Sequence, residues 1–212
     1  MLSSTIDHLV VAAPTLAGGI QYVEQTLGCK MQPGGQHPRM ATHNALLKIG
    51  ADCYLEVISI DPDAEPPRRK RWFELDSLLP QTRPRLATWV MRTHDIHEVT
   101  NATQLKLGVI EYMCRGLLEW QITIPPDGRL PLHGIAPALI QWKDEVHPVS
   151  QLAESSVSLR QIVGHHPAAR HITTLLNAAN FTGPFSVTEP RDGISSGLAA
   201  EFQTPTGLVV LS

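Results

Sequence analysis

Apolar and polar positions fall into three successive cycles along the chain. In the first, "TIDHLVVAA" reads as a strand ended by Pro14, and "TLAGGIQYVEQTLG" places Leu16, Ile20, Val23 and Leu27 at helical spacing, closed by Gly28. After an irregular glycine-rich passage, "HNALLKIG" and "CYLEVISI" predict a hairpin. The second cycle follows the "DPDAEPP" break: "RLATWVMRT" as a strand, "DIHEVTNATQLKLG" as a helix capped by Asp95, then "VIEYMCRG", "LLEWQITIP" and "IAPALIQWK" as strands. In the third, "SVSLRQIVG" predicts a strand, "PAARHITTLLNAAN" a helix with Pro167 near its start, and "FSVTE", "GLAAEFQT" and "GLVVLS" short closing strands.

The recurring order of strand, helix, then two or three strands differs from the alternation of a doubly wound nucleotide fold. "TLAGG" also lacks dinucleotide spacing and the Walker lysine. The pattern predicts an α+β fold of mostly antiparallel sheets, each covered on one side by a helix and free on the other to form a pocket. It divides the chain into a first module at 1–64, a basic linker or loop at 65–84, a second module at 85–148 and a third, partial or additional module at 149–212.

Composition narrows the function classes. A hydrophobic content of 42% fits a globular core, and no apolar run approaches the roughly 20 residues that span a bilayer, so no membrane partner is expected. A formal charge of -3 offers phosphates no general attraction, so nucleic acid is not expected as a partner. "PPRRKRWF" is the local exception. It reads first as a solvated loop anchored by Trp72 and Phe73, and second as a surface for an anionic small molecule. Cys29, Cys53 and Cys114 have no metal-knuckle or redox-pair spacing, which fits a reducing, cytoplasmic compartment.

Candidate chemistry centres on His8, His43 and Glu56. Strand alternation puts His8 on one face with Ile6 and Val10, and Asp7, Leu9 and Val11 on the other. Glu56, set among apolar neighbours in "YLEVI", must be paired, ligated or turned toward water, because burying an unpaired charge is costly. An ordinary wet face or an arginine partner would satisfy it. So would a divalent metal shared with His8, with His43 as third ligand and His37 a weaker candidate; Glu56 could instead act as a base beside it. Asn44 and Arg39 are candidates for orienting a carbonyl or carboxylate substrate, and Trp89, Trp120 and Trp142 for packing or a pocket wall. No nucleophile elbow occurs, and the spacing of His165, His166 and His171 makes no zincin pattern.

Together, "IDHLVVA", "HPRMATHNALLKIG" and "CYLEVISIDPD" resemble the glyoxalase-like branch of the vicinal oxygen chelate superfamily over about residues 5–145. The resemblance implies repeated βαβββ modules that form cupped mixed sheets with helices outside, and often a divalent metal held by first-strand histidines and last-strand glutamates of two modules. By position, His8 matches the first-strand ligand and Glu56 the last-strand ligand, while His37 and His43 match this branch's own pattern. The second module departs from the scheme, offering Trp89 or Val90 and Leu139, Ile140 or Gln141 at the corresponding places. Either Glu201 or His43 completes the site, a symmetry-related subunit contributes, or no metal is bound.

The resulting expectation is a metal-dependent lyase, isomerase or dioxygenase-type enzyme using Zn, Fe, Mn, Ni or Co on a small oxygen-rich or carbonyl substrate. The alternative is a metal-free binding or sequestration protein resembling bleomycin-resistance proteins. A homodimer is compatible with either, since exposed sheet faces and edges can pair.

Overall fold

The computed structural model describes residues 2–144, 147–190 and 195–212. The first cycle forms β1 (Ser4–Ala12), α1 (Leu16–Leu27), β2 (Gln32–His37), β3 (Thr42–Lys48) and β4 (Tyr54–Ile60). The second forms β5 (Arg85–Thr93), α2 (Ile96–Asn101), β6 (Val109–Arg115), β7 (Leu118–Ile124) and β8 (Ala138–Trp142). These eight strands make one sheet in the order β2-β3-β4-β1-β5-β8-β7-β6. In each half the first strand runs parallel to the last, β1 with β4 and β5 with β8, a pairing that requires a crossover connection. An antiparallel β1–β5 pair joins the halves. The architecture is α+β, a curled mixed sheet with helices outside it.

Local signals explain most boundaries. Thr15 caps α1 by accepting the Gly18 N–H at 3.2 Å, and Gly28 ends the helix in the left-handed region at φ 68°. Asp95 caps α2 as expected, accepting the Glu98 N–H at 2.8 Å, but the helix stops at Asn101 instead of running on to Gly108. Beyond it the Thr103 hydroxyl accepts the Leu105 N–H, a local bond that competes with continued helix, and Leu107 enters the core. The glycine-rich passage expected to be irregular is strand β2.

The third cycle forms β9 (Ser158–His165), α3 (Ala169–Ala178), β10 (Phe185–Thr188), β11 (Gly197–Thr204) and β12 (Gly207–Leu211), a second sheet in the order β10-β9-β11-β12. It repeats the order of elements with a different pairing: β9 lies parallel to β10, the next strand in the chain, and antiparallel to β11. This sheet covers the outer face of the first. Ile162, Ala200 and Phe202 share one core with Leu9, Val11, Trp89 and Met91, and the Leu159 N–H reaches the Ile49 carbonyl at 2.8 Å.

A second core fills the inside of the curl with Val10, Ile58, Val90, Ile122 and Ile140. Trp72 and Phe73, stacked at 5.3 Å, enter it from the segment between β4 and β5. The basic stretch beside them is tied down: Arg69 pairs with Glu111, and Arg71 pairs with Asp76 at 2.6 Å. Among the described residues no helix is long and apolar enough to cross a membrane.

Of the two roles open to Trp89, packing and a pocket wall, it takes packing. It points out of the curl into the core between the sheets, stacks on Phe185 at 4.5 Å, and donates its indole N–H to the Ile135 carbonyl at 3.0 Å. Trp89→Phe should therefore lower unfolding free energy by about 1–3 kcal/mol, because a buried carbonyl loses its donor. Denaturant titration would measure the loss, while emission from the tryptophans inside the curl should keep its response to bound ligand.

Candidate active site in the curl of the sheet

The curl brings the outermost strands β2 and β6 together, and side chains close the seam. Arg39 donates to the Tyr112 carbonyl at 2.7 Å and pairs with Glu111. At the same seam two consecutive glycines leave room for neighbours. A Cβ on Gly34 would stand 2.0 Å from Asn44 Oδ1, and one on Gly35 would stand 2.9 Å from Arg115 Cδ. The "QPGGQH" sequence of β2 thus makes space for two polar side chains that turn inward. Asn44 Oδ1 accepts the Gly35 N–H at 2.7 Å and an Arg115 Nη1–H at 3.4 Å, which fixes which way its amide points.

Inside the seam is a small cavity of about 30 Å³, whose polar lining is His8, His37, Asn44, Glu56 and Arg115. Aromatic residues Tyr54, Trp72, Trp120 and Trp142 make much of the rest. His8 and Glu56 face the same space because β1 and β4 are neighbours, with His8 opposite Tyr54 and Val10 opposite Glu56. Their closest atoms, His8 Nε2 and Glu56 Oε2, are 3.6 Å apart. The Asn44 amide donates to Glu56 Oε1 at 2.5 Å, and Tyr54 stacks on the His8 ring at 4.6 Å.

Asp7 does not point away from His8 as simple alternation requires. Pairing to β5 steps from Ile6–Met91 to His8–Val90, so Asp7 is the extra residue of a β-bulge. Its fully buried carboxylate receives the His8 Nδ1–H at 2.6 Å, the Trp142 Nε1–H at 2.9 Å and the His147 Nε2–H at 3.0 Å. Burial alone would raise the Asp7 pKa. Hydrogen bonds from His147 and His8, and then their charges, outweigh it and hold the carboxyl well below the usual carboxylate range. With Nδ1 committed to Asp7, His8 presents Nε2 to the cavity.

His37 is held neutral. Burial first, then the Arg115 charge, lowers its pKa to about 3; its Nδ1–H donates to Thr42 Oγ1 at 3.2 Å, and Nε2 accepts from Arg115 at 3.3 Å.

The other expected site residues lie elsewhere. His43 is on β3 next to Asn44, and alternation turns it to the opposite face of the strand from the cavity. Glu201 alternates with buried Ala200 and Phe202, so it faces away from the core between the sheets and cannot reach His8. Arg39 stays at the exposed seam. Asp7 and Arg115 were not foreseen, since a bulge leaves no mark on alternation and Arg115 meets its glycines across about eighty residues of chain. The double glycine of β2 was the one available sign that another side chain needed room.

These donors do not make a resident metal site. Among the described residues, no group of three or more His, Cys, Asp or Glu is close enough to hold an ion. His8 and Glu56 offer one imidazole and one carboxylate, His37 directs Nε2 to Arg115, and the guanidinium puts a positive charge beside them.

The refusal of a proton by His37 has a stability consequence. The unfolded chain protonates this imidazole below about pH 6.5, whereas the folded protein does so only near pH 3. Its contribution should be whole above pH 6.5 and lost progressively as pH falls toward 3, with Asp7 adding a further loss once pH falls into the ordinary carboxylate range near 3.8. Denaturation midpoints measured from pH 7 to pH 4 should fall in the wild type and flatten in His37→Gln.

A family model described as a glyoxalase-like domain matches residues 6–179. No curated protein sequence matches the chain. Among solved structures, a hypothetical protein from Staphylococcus aureus superposes with a TM-score of 0.58 at 12% identity, covering 98% of this chain and 84% of that one. More remote are methylmalonyl-CoA epimerase from Streptomyces coelicolor in complex with 2-nitronate-propionyl-CoA (TM-score 0.46, 16% identity, covering 68% of this chain and 100% of that one). Methylmalonyl-CoA epimerase from Mycobacterium tuberculosis has a TM-score of 0.40 at 16% identity, covering 65% of this chain and 85% of that one. The chain belongs to the glyoxalase-like domain family of the vicinal oxygen chelate superfamily.

Proposed function

We propose that this protein is an isomerase or lyase that moves a proton on a small carbonyl compound, using His8 and Glu56 as its acid–base pair. The observation that carries this reading is the buried Asp7–His8–Glu56 line, with Asp7 on His8 Nδ1 and Glu56 Oε2 3.6 Å from His8 Nε2. Asp7 sets the tautomer, so His8, whenever Nε2 carries no proton, directs a lone pair into the cavity. That lone pair can take a proton from carbon adjacent to a carbonyl. Glu56, steadied by Asn44, is placed to carry a proton to or from the same substrate.

The aromatic walls keep bulk water from the reacting carbon, and the small cavity limits the reacting end of the substrate to a few atoms. A lyase would use the same first step, removing the proton and then expelling a group from the neighbouring carbon. Dioxygenase chemistry draws less support, because the side chains present provide two metal ligands where an open iron site takes three.

The test is hydrogen–deuterium exchange in D2O at the carbon next to the carbonyl, followed by NMR over a panel of small aldehydes, ketones and 2-oxo acids. A general acid–base contribution is about 10²–10⁴-fold, so His8→Asn and Glu56→Gln should each slow exchange by at least about 10²-fold. Asp7→Asn should change the pH profile of exchange, because His8 loses the acceptor that fixes its tautomer. A panel that binds without exchanging would instead place the chain with sequestration proteins.

A further inference from the structure

We propose that the substrate of this cavity is a carboxylate and that Arg115 is the residue that binds it. This rests on the cavity's being the substrate site. Arg115 lines the cavity, yet among the described residues no carboxylate lies within 4.0 Å of its guanidinium, whose only hydrogen bonds among those residues go from Nη1 to His37 and Asn44. Arg39 and Arg69, at the same seam, are both paired with Glu111. Arg115 is therefore a cation in a largely aromatic setting whose hydrogen-bond partners are neutral, with the Glu56 carboxylate in the same cavity lining but more than 4.0 Å away.

The environment is built for that cation. Gly35 leaves the space its aliphatic chain occupies, and a neutral His37 accepts from one guanidinium nitrogen, which orients the fork without neutralising it. Nη2 and Nε have no protein partner among the described residues. A planar guanidinium with those two nitrogens free matches a carboxylate in two parallel hydrogen bonds. Trp72, which also lines the cavity, has a buried indole N–H with no acceptor among the described residues.

Arg115 also stands at a boundary. It borders both the inner cavity and an open groove of about 520 Å³ along the seam, where Pro33, Leu46, Leu118, Pro148 and Leu152 give an apolar surface. An acid group on Arg115 would leave the neighbouring carbonyl carbon, and the carbon beyond it, inside toward His8 and Glu56. The substrate class is accordingly a 2-oxo or otherwise carbonyl-bearing carboxylic acid.

Binding can be tested without any assumption about turnover, since Trp72, Trp120 and Trp142 border the cavity and their emission reports occupancy. Pyruvate and 2-oxobutyrate would be titrated against pyruvamide and methylphosphonate. The acids should bind, the neutral amide should bind about 30-fold or more weakly, and Arg115→Gln should remove most of the difference. Arg115→Lys keeps the charge without the fork and should fall between wild type and Arg115→Gln. Equal binding of acid and amide by the wild type would overturn the proposal whether or not a variant folds, as would tighter binding of methylphosphonate than of either acid. Failure of the acid–base reading would look different: carboxylates would still bind through Arg115 while His8→Asn left proton exchange unchanged.

Discussion

A fully buried carboxylate stays ionised only when its oxygens are filled with donors, and the candidate site depends on how that condition is met at Asp7. Its three donors come from different parts of the chain: His8 from the first strand, Trp142 from the last strand of the second half, and His147 from the connection to the outer sheet. Satisfying one buried charge thus pins the first half to the second and to the segment beyond it. His147 is itself held, its Nδ1 accepting the Val149 N–H at 3.3 Å, so the proton on Nε2 is directed to Asp7. Removing any one donor leaves the charge short of a partner in a place water does not reach.

The two halves of the sheet share an architecture and divide the chemistry unequally. The first contributes His8, Glu56, Asn44 and His37; the second contributes the guanidinium of Arg115 and the indoles of Trp120 and Trp142. A chelating cup built from equivalent halves would put acidic or imidazole ligands on both. Here one wall holds imidazole, carboxylate and amide groups, and the facing wall holds a cation and aromatic surface.

Much of the fold was legible because it is written in local patterns. Period-two runs located most of the strands, Thr15 and Asp95 marked helix starts, and the recurrence of elements indicated repeated modules. The resemblance brought His8 and Glu56 together through the neighbouring positions of β1 and β4, which their sequence spacing does not reveal. Pairing between distant segments was not legible. Nothing in "SVSLRQIVG" says that β9 takes β10 as its neighbour, or that its sheet covers Trp89. The same limit concealed the site's electrostatics, because the bulge at Asp7 is a mismatch between two strands and the space for Arg115 is an absence of side chain on a third.

Trp142 belongs to both worlds of the site. Its ring lines the cavity at the very place where its indole N–H grips Asp7, and Asp7 in turn fixes the proton on His8. Replacing the ring would therefore remove wall and donor together, leaving Asp7 with His8 and His147 alone. One indole is thus both part of the cavity wall and one of the three donors that keep a buried charge satisfied.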